Sequence, residues 1–114
     1  MMQVTTRRTN GITIADLNGR ITLGEGSAVL RETIRELVGK GEKNVVLNLA
    51  EVNDIDSSGI GELVSAFTTM RDRGGELKLL NLTSKVKDLL QITKLAAIFD
   101  VQKDEAEALA AFQK

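Results

Sequence analysis

Between residues 43 and 82 the chain reads as a buried strand, an amphipathic helix and a second buried strand, an order that leaves few folds open. KNVVLNLAEV (43–52) is a near-continuous apolar run with three valines, the pattern of a strand covered on both faces of a parallel sheet. In SSGIGELVSAFTTMRDRGG (57–75), Ile60, Leu63, Val64, Phe67 and Met70 recur at helical spacing, and Gly74-Gly75 supplies a stop. ELKLLNL (76–82) is again strand-like. Strand, helix and strand at this spacing form a βαβ unit, whose strands run parallel through a right-handed crossover.

The flanking segments extend the same plan. Asn10-Gly11 predicts a type I′ hairpin turn, because both residues tolerate the positive φ that such a turn requires. Ile12, Ile14 and Leu17 alternate imperfectly after it, followed by Gly19, a short RITL strand and a GEG break at 24–26. A helix is expected from a Ser27 cap, with Leu30, Ile34, Leu37 and Val38 on one face and Arg31, Glu32, Arg35 and Glu36 on the other. Gly39 and Gly41 end it. Further on, SKVKDLLQIT reads as a short helix capped by Ser84, AAIFDV as a final strand, and DEAEALAAFQK as a terminal helix starting near Asp104. The expected fold is therefore α/β, one domain over residues 1–114, with a mostly parallel sheet, a leading antiparallel hairpin and about four helices.

What the chain lacks narrows the chemistry. It has no Cys, which excludes disulfides and thiolate chemistry, and no His, which removes the commonest general base and metal ligand. It also has no Tyr or Trp, so a base-stacking platform has little to be built from. Charge nearly cancels at a net of -1, and the longest basic cluster is Arg7-Arg8, read as a solvated strand end. Nucleic acid is not an expected partner. The polar start MMQVTTRRTN and the lack of any apolar run near ~18 residues predict a cytoplasmic protein with no direct membrane contact.

NDIDSSGIGEL (53–63) joins the first buried strand to its helix, where sites tend to lie in open α/β sheets. Helix capping by Asp56 or Ser57 accounts for part of it. It does not account for a second hydroxyl and two glycines in and near the first turn, since glycine costs a helix roughly 1 kcal/mol relative to alanine. Small residues leave the helix N-terminus approachable, and free N–H groups there favour anions. A phosphoryl group on Ser57 would be tolerated by the fold. With Asp54, Asp56 and Glu62 nearby, it would sharply raise the negative charge of an acidic patch.

DSSGIGEL at 56–63, following a strand, resembles the Asp-Ser-Ser/Thr-Gly-Leu-Gly signature of STAS domains, specifically bacterial anti-sigma factor antagonists. The resemblance runs from LNGRITL through VVLNLAEVNDIDSSGIGELVSA to AAIFDVQKDEAEALAAF, with Ile60 in place of the more frequent leucine. It implies that Ser57, the serine directly after the aspartate, is phosphorylated by a histidine-kinase-like ATPase that doubles as the anti-sigma factor. The unphosphorylated form would bind that kinase and free the sigma factor. A metal-dependent (PP2C-type) serine phosphatase would reverse the modification. The docking surface is expected around Asp54, Asp56, Ser57, Ser58, Gly59, Gly61 and Glu62, with no cofactor and no catalysis by this chain. The alternative is a constitutive accessory subunit of a transporter or lipid-trafficking complex, in which Ser57 is only a cap.

Enzymatic readings fare worse. DID resembles the Asp-x-Asp of aspartyl phosphotransferases, but AEVN separates Asp54 from VVLNL, and a receiver domain needs an acidic pair where this chain has VTTRRTNG. GIG lacks the later glycine of a dinucleotide fingerprint, and no Gly-Lys-Ser/Thr occurs.

Overall fold

The computed structural model describes residues 2–112. Strand β1 (Gln3–Thr9) and strand β2 (Ile12–Ile21) pair antiparallel around a turn in which Asn10 and Gly11 both take positive φ, 55° and 77°. Helix α1 (Glu25–Gly39) then leads into strand β3 (Asn44–Ile55), and helix α2 (Ser57–Asp72) into strand β4 (Glu76–Leu80). Helix α3 (Ser84–Ile92), a 3-10 turn at Ala96–Ile98, strand β5 (Asp100–Gln102) and helix α4 (Glu105–Ala110) complete the chain. The sheet order is β1-β2-β3-β4-β5, with every pair after the hairpin parallel, as expected for successive crossovers. The terminal helix expected over DEAEALAAFQK is α4, which ends at Ala110; Gln113 and Lys114 lie outside the described residues.

Alternation along the strands divides the interior into two layers. Ala15, Leu17, Val45, Leu47, Leu49, Leu77 and Leu79 face α1, α2 and α3, whose Leu30, Ile34, Leu63, Met70, Val86 and Leu90 complete the main core. The neighbouring positions Ile12, Ile14, Val46 and Leu80 point the other way, onto Ala108 of α4. Burial on both faces explains why β3 shows no period of two.

Several boundaries differ from the sequence expectation, with the start of RITL continuous with β2, β3 running on to Ile55 and β4 stopping at Leu80. Helix α1 begins three residues early: Gly24 (φ 99°) is its cap in place of Ser27, which lies inside the first turn. The hydroxyl of Thr83, not Ser84, precedes α3, and it donates to Val52 O (2.9 Å) instead of capping. AAIFDV is mostly a 3-10 turn, with only the last residues of that stretch entering β5. The positive φ of Gly24 and the long-range Thr83–Val52 bond have no local signature in the sequence.

Candidate functional site

Two helix N-termini converge on the carboxyl end of β2. A Cβ on Gly26 would overlap Arg20 O, and one on Gly59 would overlap Ile21 O, so only glycine lets α1 and α2 approach this closely. Asp56 ties the two helix starts together: Oδ1 accepts the Gly59 amide at 3.0 Å, and Oδ2 accepts the Leu23 amide at 2.9 Å. The Leu23 and Gly59 hydrogen bonds hold its carboxyl below the usual carboxylate range. Asp56 is thus the cap expected for α2, and it also fixes the β2–α1 loop.

The two serines that follow are not equivalent. Ser58 sits half-buried with its hydroxyl 2.6 Å from that of Ser27, which is only 4% exposed. Ser57 is exposed, and its hydroxyl makes no hydrogen bond to any described residue. Gly61 is also exposed with open space beside it, whereas Gly59 is buried. Of the residues grouped from sequence, Ser57 and Gly61 lie fully on the surface, Asp54, Asp56, Ser58 and Glu62 are half-buried, and Gly59 serves packing.

The acidic patch anticipated from sequence is largely neutralised. Glu62 pairs with Arg31 of α1 at 2.9 Å, and Asp54 pairs with Lys85 of α3 at 2.7 Å. The Lys85 ammonium lowers the Asp54 pKa, and the Glu62 carboxylate raises that of Arg31. Asp54 and Asp56 of the DID stretch therefore serve different partners. Ser27–Ser58 and Arg31–Glu62 are successive rungs, four residues apart on both helices. A groove of about 580 Å³ opens beside them, with Arg31, Arg35 and Arg73 on its walls. Sequence reasoning missed Leu23, which stands 81% exposed at the site rim. It also missed the pairing of Arg31 and of Lys85; for Arg31, the matching four-residue spacing from Ser27 to Arg31 and from Ser58 to Glu62 was the one available signal.

The site therefore presents the free Ser57 hydroxyl at a helix N-terminus, with the Arg31–Glu62 and Asp54–Lys85 pairs and the exposed Leu23 nearby. In comparison with known proteins, residues 3–108 match the model of the STAS domain. The chain belongs to the STAS family. Among its relatives, the candidate anti-sigma factor antagonist BtrV of Bordetella bronchiseptica is 30% identical over 112 residues, spanning 98% of this chain and 96% of that protein. The anti-sigma-B factor antagonist of Bacillus subtilis is 37% identical over 73 residues, 64% of this chain and 66% of that one. Among solved structures, the Bacillus cell fate determinant SpoIIAA in its phosphorylated form superposes with a TM-score of 0.73 at 19% identity, over 96% of this chain and 99% of that chain. STAS membership puts the chain among non-enzymatic regulatory modules, and no helix among the described residues is long and apolar enough to cross a membrane.

Proposed function

We propose that this STAS domain is a phosphorylation-controlled partner switch, and that Ser57 is the residue modified. The observation carrying the reading is the contrast between Ser57, exposed and unpartnered among the described residues, and Ser58, held against Ser27. In its unphosphorylated form the chain binds an anti-sigma factor that is also a serine kinase, and the sigma factor is released. The kinase transfers the γ-phosphoryl group of ATP to Ser57 Oγ: the new O–P bond forms as the β–γ bridge breaks, ADP leaves, and the serine proton passes to a base of the kinase. The phosphate adds roughly -1.5 to -2 charges at pH 7. Because Asp54 and Glu62 are already paired, the change in field comes mainly from the phosphate itself. A serine phosphatase resets the switch. The names of the Bordetella and Bacillus subtilis relatives, both anti-sigma factor antagonists, support the partner class. The existence of a phosphorylated form of SpoIIAA supports the modification.

The test uses the wild-type chain and its Ser57→Ala and Ser57→Asp variants as bait in the host, followed by ATP and phosphosite mapping by mass spectrometry. Label confined to Ser57, absent from Ser57→Ala, with capture of the kinase weakened by Ser57→Asp, is expected. Label retained in Ser57→Ala overturns the assignment. Constant capture of a transporter whatever stands at position 57 establishes the accessory-subunit alternative instead.

A further inference from the structure

A second feature lies away from Ser57, at the carboxyl ends of β4 and β5. Strand β4 stops at Leu80, and Asn81 turns left-handed with φ 58°. Its amide bonds Gln102 O at 3.1 Å, and its side-chain amide donates to Asn48 Oδ1 at 3.3 Å. This pinned turn swings the chain away from the sheet before α3 begins. Below it remains a cavity of about 710 Å³ between the strand ends, α3 and the 3-10 turn. The volume falls within the roughly 300–1,000 Å³ of small-molecule sites. The position is also where ligands bind in parallel sheets.

The lining defines the ligand. Leu82, Ala96 and Val101 supply an apolar wall, with Leu90 and Phe99 buried behind it, and the charged groups on the cavity are Lys87 and Lys103. Neither lysine is salt-bridged among the described residues, and no Asp or Glu lines the cavity. In a chain of net charge -1, a cavity with two cations and no carboxylate selects for anions. The apolar wall adds a demand for a hydrophobic body, which inorganic phosphate cannot meet.

We propose that this cavity is a binding site for a small amphipathic organic anion, its head group met by Lys87 and Lys103 and its apolar body laid against Leu82, Ala96 and Val101. The site is separate from the Ser57 switch and stands whether or not that reading holds.

Titration with anilinonaphthalene sulfonate, followed by fluorescence and by amide chemical shifts, tests it on the full chain. One saturable site with shifts centred on Asn81, Lys87, Phe99 and Gln102 is expected. Octanoate should displace the probe at least about fivefold better than octanol, and added salt should weaken both charged ligands. Lys87→Gln combined with Lys103→Gln changes only exposed side chains and should lower affinity about five- to tenfold. Ala96→Phe should block the site. No binding, shifts centred instead on exposed Leu23 or Ile92, equal competition by octanol, or displacement by inorganic phosphate alone would each overturn the proposal.

Discussion

Ser27 and Ser58 illustrate how a short motif can carry two unlike hydroxyls. Their 2.6 Å contact joins the first turns of α1 and α2 where Ser27 has almost no access to water. Removing one partner leaves the other hydroxyl unsatisfied, while removing both leaves a small apolar contact. Ser58→Ala should therefore cost about 1–2 kcal/mol. The double variant Ser27→Ala/Ser58→Ala should recover most of that loss. Urea denaturation of the two singles and the double measures the coupling, and simple additivity would remove the pair from the account of stability. Phosphorylation at Ser57 should continue in all three, because none of them touches its hydroxyl.

At the level of elements, the glycines of SSGIG have opposite roles. The Cβ of an alanine at 59 would overlap Ile21 O and press on Ile55, so Gly59→Ala should push α2 off β2 at a cost of about 2 kcal/mol or more. Gly61 has nothing within 4 Å of such a Cβ and sits inside the helix. Gly61→Ala should stabilise the fold by about 0.5–1 kcal/mol. If its bareness serves the docking surface, the same change should weaken kinase capture; thermal melts and calorimetry separate the two effects. Both glycines look alike in the sequence, and only the close pass of β2 tells them apart. The βαβ core, the Asn10-Gly11 turn and the Asp56 cap were legible because each rests on neighbours in the chain. The start of α1, the engagement of Thr83 with Val52 and the pairing of Glu62 with Arg31 were not. Each depends on residues about 30 positions away or on the backbone angle of one glycine.

Across the whole molecule, charge is distributed to hold elements that have little apolar area to offer. Arg7, read from sequence as a solvated strand end, reaches Asp16 at 2.7 Å and Glu105 at 2.7 Å, locking β1 and β2 to short helix α4 on the outer sheet face. On that same face Lys78, 4% exposed, bonds Asp100 at 2.6 Å and lies 4.8 Å from the Phe112 ring centre. Burial pulls the Lys78 pKa down, but the bonds to Asp100 and Glu76 more than offset this and leave it raised. The Arg7 guanidinium holds Asp16 and Glu105 below their ordinary values, as Lys85 and the backbone amides do for Asp54 and Asp56. A carboxylate whose pKa is lower folded than unfolded contributes stability above its unfolded value, near 4, and loses it as pH falls through the folded one. Lys78 has the reverse sign: its contribution is complete below its unfolded pKa, near 10.4, and is lost as pH rises through the higher folded value. With no histidine in the chain, no side chain with an ordinary pKa titrates between these limits. The urea midpoint should thus stay nearly level from about pH 6 to 9 and decline below about pH 5. Asp16→Asn keeps the shape of the side chain but removes its titration, so it should lower the midpoint at pH 7 and flatten the acid decline. An acid limb of unchanged slope in Asp16→Asn would show that the Arg7 network does not couple folding to pH.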